Sequence, residues 1–248
     1  MEYYYMTDTG KVRDHNEDSV VITENMNKEI LLTVADGMGG HNAGEVASSI
    51  AITNIGKRFR ELSSVGNKED AINWLKETVN ETNVLINTYA SEHPESKGMG
   101  TTLVLALLTD DFLLFGNIGD SSGFVLKNGS IHKITTDHTL VNMLVKSGEI
   151  TEEEAKDHPR KNVLMKALGA TTNVEMDIFD VETDVEGIFL CSDGLTNMLE
   201  DDQISKVLNE ELTVEEKVNK LIIKANNRGG TDNISVAFLK KDGEISDN

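Results

Sequence analysis

Short apolar runs alternate along this chain with longer segments in which apolar residues recur every three or four positions. Tyr3–Thr7, Ser19–Thr23 and Ile30–Ala35 read as strands. Ala43–Phe59 reads as a helix with Val46, Ala47, Ile50, Ala51 and Ile55 on one face, and Asp70–Tyr89 as a second, with Ala71, Trp74, Leu75, Val79, Ile86 and Tyr89 inward. Thr101–Leu108 and Phe112–Ile118 are strands flanking Thr109-Asp110-Asp111. Gly123–Leu126 and Ile131–Ile134 flank an Asn-Gly hairpin signal at Asn128. Short helices follow at Leu140–Lys146 and Glu152–Asp157, the second opened by a Thr151–Glu154 capping box. Met176–Val181 and Gly187–Cys191 are strands, Asp201–Asn209 and Val214–Asn226 helices, and Ile234–Lys240 the last strand. Strands do not alternate singly with helices. The order predicts an α+β fold of mostly antiparallel sheets covered by helices, not a doubly wound parallel sheet.

Bulk properties narrow the classes. The 248 residues carry 2 prolines, no repeat and no low-complexity linker, so one domain over 1–248 is the expectation. The first residues, MEYYYMTDTGKVRD, lack a basic and then apolar leader, no apolar run nears the ~18 residues of a membrane span, and Cys191 stands alone. These features predict a cytoplasmic protein with no membrane insertion. The net charge of −20 excludes a nucleic-acid binder. Phosphate could be handled only locally, through metal ions or a few placed cations.

The candidate chemistry begins at ILLTVADGMGGH, where a buried strand runs into Asp36 and then glycines. The pattern returns. Asp120 ends FLLFGNIG, Asp193 ends GIFLCS, and Asp232 precedes NISVAFL. In antiparallel sheets, three strand ends and one strand start can meet at one rim. Four carboxylates held there repel one another unless a cation sits among them. Oxygen donors without Cys or a His cluster suit Mg²⁺ or Mn²⁺. Small neighbours such as Gly37 let backbone approach a ligand and offer a carbonyl. Upstream, RDHNED supplies Arg13, a fork that grips phosphate, and Glu17 and Asp18, outer acids able to hold metal-bound water.

In this order and spacing, RDHNED, VADGMGGHNAGEVAS, GMGTT, GDS, SDG and GGTDN resemble the metal-dependent serine/threonine protein phosphatases of the protein phosphatase 2C family, over roughly Thr7 to Leu239 and closest to short bacterial members. The resemblance implies a four-layer αββα sandwich with a flap at about 137–168. It implies a two-metal Mn²⁺ or Mg²⁺ centre, with a possible third, weaker ion. Asp36 would bridge both ions and the Gly37 carbonyl would bind one. Asp193 and Asp232 would bind the other, Asp18 and Glu17 would act through water, and Asp120 with Asp193 would take the third ion. Arg13 would hold the substrate phosphate. Two ions about 3.5–4 Å apart can acidify a bridging water for in-line attack, without a covalent phosphoenzyme. Partners implied are phosphorylated proteins and a cognate transmembrane Ser/Thr kinase. A monomer is the plain expectation, and an acidic rim should favour basic flanks around the phosphosite.

Two positions depart from the family. Met38 stands where animal members have a histidine proposed as general acid, which leaves water or His41 to protonate the leaving group. Ser122 replaces the usual Arg after GDS, which removes a structural salt bridge and creates a G-x-S-x-G match around Ser121. A serine hydrolase needs a helix directly after that serine, whereas strand and hairpin follow. A non-catalytic phosphoprotein-binding scaffold of the same fold would be expected to have lost Asp36, Asp193 or Asp232. Other two-metal phosphohydrolases acting on small phosphate esters share the donor chemistry.

Overall fold

The computed structural model describes residues 1–40 and 42–241. Two antiparallel sheets form its centre. The first orders β1 (Glu2–Asp8), β11 (Ile234–Lys240), β10 (Gly187–Cys191), β7 (Ser122–Lys127) and β8 (Ser130–Lys133). The second orders β2 (Asp18–Glu24), β3 (Ile30–Met38), β5 (Leu103–Leu108), β6 (Leu113–Ile118) and β9 (Asp177–Val181), with β4 (Gly100–Thr101) paired to the end of β3.

Strand alternation sorts the side chains into layers. Along β3, Leu31 and Ala35 pack outward against α1 (Ala43–Glu61) and α2 (Lys68–Glu92), together with Leu103, Leu105 and Leu107 of β5. Ile30, Leu32 and Val34 face the other way, into a layer shared with Val104, Ala106, Ile188, Leu190, Ala237 and Leu239. A third cluster lies outside the first sheet. There Phe189, Val236 and Phe238 meet the helices α6 (Asp201–Leu208) and α7 (Val214–Asn227) through Ile204, Val207, Val218 and Leu221. Three apolar layers between four structural layers make the αββα sandwich expected from the sequence.

Most elements lie where periodicity puts them, including α3 (Leu140–Ser147), and the Thr151–Glu154 capping box opens α4 (Glu152–Lys156). The differences are local. Val46 and Ile50 are only half-buried on α1. Asn67 caps α2, whose N-terminus therefore begins before Asp70. The predicted strand Thr101–Leu108 is interrupted at Thr102, and β3 continues past Asp36 to Met38. Pairing keeps its register from Val34↔Val104 to Gly37↔Thr101, which carries β3 on to Met38, and at the break the Asp36 N–H donates to the Thr102 hydroxyl (2.9 Å). Asp36 thus lies within a strand, not at its end. Among the described residues, no helix is long and apolar enough to cross a membrane.

Candidate active site

The layer between the sheets changes character at one rim. On β2, Val20 and Ile22 belong to the apolar layer, and Asp18 is the next residue on that face. On β3 the same step leads from Val34 to Asp36, and Asp18 and Asp36 are direct cross-strand partners. Like charges placed opposite each other destabilise a sheet. On β10 the step from Leu190 leads to Ser192, whose hydroxyl donates to Asp18 Oδ2 across the sheets (2.7 Å). On β11 the step from Ala237 leads to Ser235, whose N–H donates to the Ser192 hydroxyl (2.9 Å). Thr102 and Ser121 share a hydroxyl hydrogen bond at the same level (2.7 Å).

Around this polar rim stand the predicted carboxylates. Asp120 follows β6 through Gly119, whose φ of +103° only glycine adopts without strain. Asp193 opens the short helix α5 (Asp193–Thr196), a turn that sequence reading leaves out, and its Oδ2 accepts from the Asn197 amide (3.0 Å). Asp232 Oδ2 accepts from Arg13 Nη2 at 2.7 Å, and Oδ1 accepts from the Asn233 N–H at 2.9 Å. Gly37 and Gly44 meet back to back. A Cβ on Gly37 would lie 2.1 Å from the Gly44 carbonyl oxygen, and one on Gly44 would lie 2.7 Å from Glu17 Oε1, so neither position has room for a side chain.

Electrostatics marks the same set. Burial first, then repulsion from Asp18, Asp193, Asp120 and Asp232, raises the Asp36 pKa well above the usual carboxylate range. Burial, with Asp193 and Asp232 adding to it, lifts Asp18 to about 7 although the Ser192 hydroxyl donates to it. Burial and the charges of Asp193 and Asp137 lift Asp120 to about 7 as well. Asp193 is raised by burial and by Asp232, and Glu17 mainly by burial. Asp18 Oδ1 and Asp193 Oδ1 are buried without a hydrogen-bond partner. Unpaired carboxylate oxygens with mutual repulsion are what a divalent cation relieves, and the all-oxygen donor set suits a hard one. The fit is one of charge and donor type. Among the described residues, no three His, Cys, Asp or Glu side chains stand ready as an ion cage.

Several positioning residues escaped the sequence reading. Asn233 is nearly buried and pins the RDHNED loop. Its Oδ1 accepts from the Glu17 N–H (2.8 Å) and its amide donates to the carbonyls of Thr9 and His15 (2.9 Å each). Thr101 and Thr102 hold the Asp36 carbonyl from hydroxyl and N–H at 2.9 and 2.8 Å. A strand-parity count carried one residue past each apolar row would have found Ser192 and Ser235. Asn233 closes the GGTDN motif, but nothing local to the sequence shows that it grips the RDHNED loop. Ser121 is fully buried and β7 follows it at once, so the nucleophile-elbow context is absent. Ser122 is buried in β7 opposite Cys191. Burial pushes the Cys191 thiol far up, as suits a core residue. His41 lies outside the described residues.

Comparison with known proteins agrees with this architecture. The family profile described as Protein phosphatase 2C matches residues 10–225. The serine/threonine phosphatase stp of Listeria monocytogenes is 41% identical over 243 residues, covering 98% of this chain and 96% of its own. Protein phosphatase PhpP of Streptococcus pneumoniae is 33% identical over 245 residues, covering 98% and 99%. The crystal structure of serine/threonine phosphatase Stp1 from Staphylococcus aureus superposes with a TM-score of 0.92 at 37% identity, covering 98% of this chain and 95% of that one. With its αββα layers and acidic rim, the chain belongs to the protein phosphatase 2C family.

Proposed function

We propose that this serine/threonine protein phosphatase of the 2C type removes phosphate from phosphoserine and phosphothreonine at the rim of its two sheets, using Mn²⁺ or Mg²⁺. One observation carries the assignment. Asp36, Asp18, Asp193 and Asp120 are lifted together by burial and mutual repulsion, with carboxylate oxygens left unpaired, beside a guanidinium on an exposed loop. In this reading the Asp36 carboxylate, the Gly37 carbonyl, Asp193 and Asp232 would hold two ions, Asp18 and Glu17 would act through water, and Asp120 with Asp193 would hold a third. When bound, the ions supply an acidified water and Lewis-acid stabilisation of the phosphoryl oxygens.

The chain's own groups do the rest. Ser192 holds Asp18 by a hydrogen bond, and Ser235 in turn holds Ser192. Thr101 and Thr102 fix the main chain of Asp36, and so the direction of its carboxylate. Arg13 is half-exposed and held by Asp232 at its near side, which places a guanidinium at the mouth to grip the substrate phosphate. Partners are phosphorylated cytoplasmic proteins and a transmembrane Ser/Thr kinase whose marks this enzyme removes. The chain acts as a monomer with one catalytic domain. Phosphate release from a phosphothreonine peptide tests the reading. Turnover with Mn²⁺, none with EDTA, and none for Asp36→Asn is expected. Turnover that survives EDTA would place the chemistry elsewhere.

A further inference from the structure

His138 opens the flap, and nothing above gives it a task. Its side chain is only 9% exposed and both ring nitrogens are engaged. Nδ1 accepts from the Gly119 N–H at 3.1 Å, and Nε2 lies 3.1 Å from Asp177 Oδ2. A nitrogen that accepts an N–H carries no proton, so the ring is neutral, with its proton on Nε2 and donated to Asp177. Lys166, near the far end of the flap, donates to the other oxygen of Asp177 at 3.0 Å. The main chain of His138 makes the same connections. Its N–H donates to the Gly119 carbonyl (2.9 Å), and its carbonyl accepts from the Met165 N–H (2.7 Å).

Gly119 is therefore held by His138 at both its N–H and its carbonyl, and Asp120 is the next residue. The same histidine fastens the flap's far end at Met165 and, through Asp177, at Lys166. We propose that His138 is a positioning residue for the Asp120 carboxylate and the strut that keeps flap and carboxylate in one relative placement. The proposal rests on the reading of Asp120 as an ion ligand. It does not need His138 to change charge or to touch substrate. A side chain that orients a ligand-bearing turn typically contributes 10–100-fold to ion affinity.

Two substitutions separate the arms of the strut. In His138→Asn, Oδ1 occupies about the place of Nδ1 and can accept the Gly119 N–H, while the Asp177 contact is lost. In His138→Gln the amide reaches Asp177 and Gly119 is left unpaired. The full chain is titrated with Mn²⁺ by calorimetry without substrate, and Gly119 amide exchange is followed by NMR, with Asp120→Asn as reference. His138→Gln is expected to weaken the weakest Mn²⁺ site about 10-fold or more, as Asp120→Asn does, and to lose Gly119 protection. His138→Asn is expected to stay near wild type in both. Equal Mn²⁺ isotherms for the two variants, or undiminished Gly119 protection in His138→Gln, would overturn the proposal. In the wild-type protein, ¹⁵N NMR should find the ring proton on Nε2, and a proton on Nδ1 would also overturn it. If Asp120→Asn binds Mn²⁺ like wild type, the assignment of Asp120 as a ligand fails instead, and Gly119 exchange still decides whether His138 holds the turn.

Discussion

The space between the two sheets is one layer with two halves. In the deep half, Ile30, Leu32, Val34, Ile188, Leu190 and Leu239 bury apolar surface. At the rim the same rows end in Asp18, Asp36 and Ser192, with charges opposite charges and oxygens left without partners. The deep half lowers the energy of the fold, whereas the rim raises it. The core holds in place a cluster that would repel itself apart in a looser scaffold. Strain concentrated where a ligand is to be bound marks a working site, because the ligand that relieves it is the one selected.

The comparison breaks most visibly at Asp36. Asp36→Asn should lower turnover by about 1,000-fold or more, since a metal centre supplies several kcal/mol of charge stabilisation. The same substitution should raise the melting temperature of the metal-free protein at neutral pH, because one of several repelling charges is gone. A fall there would mean that the rim is not under electrostatic load. In the deep half the signs reverse. Leu190→Ala should cost about 2–5 kcal/mol by denaturant titration and leave Mn²⁺ affinity near wild type. Arg13→Ala should reduce kcat/KM for phosphopeptide by about 10–100-fold, the range for losing a hydrogen bond to a charged group, while unfolding changes little at this half-exposed position.

The last effect is in pH. Asp18 and Asp120 are held at about 7 in the folded chain, by burial above all, against 3.8 for an ordinary aspartate. A raised carboxyl pKa stabilises the fold below the unfolded value, and that contribution is lost as pH rises through the folded one. Without metal, the stability advantage of Asp18→Asn over wild type should therefore grow between about pH 4 and pH 7. An advantage constant across that window would mean that Asp18 is not held protonated. Saturating Mn²⁺ should shrink the advantage, because the ion then compensates the charge.

Much of this was legible in advance. The nearly unbroken apolar run Ile30–Ala35 and the 3.6-residue spacing in Ala43–Phe59 depend on nearest neighbours along the chain, and they give strand and helix directly. The carboxylates Asp36, Asp120, Asp193 and Asp232 announce themselves by standing beside apolar runs with small residues next to them. Less could be read of what aims them. The break at Thr102 and the grip of Asn233 on the RDHNED loop each depend on a partner far away in sequence.

Sequence alone therefore determined the elements, their polarity and the residue types able to bind a hard cation, because those properties are local to the chain. Tertiary structure decided which face of each strand meets the other sheet. It also decided that Asp18 and Asp36 lie directly opposite, and that Gly119, His138, Asp177 and Lys166 form one line of contacts from the Asp120 turn to the flap. Those facts come from strand register, from loops folding back on strand ends and, last, from packing two sheets face to face. That step brings residues 100 or more positions apart within hydrogen-bonding distance, as Ser192 and Asp18 show, and no period along the chain encodes it.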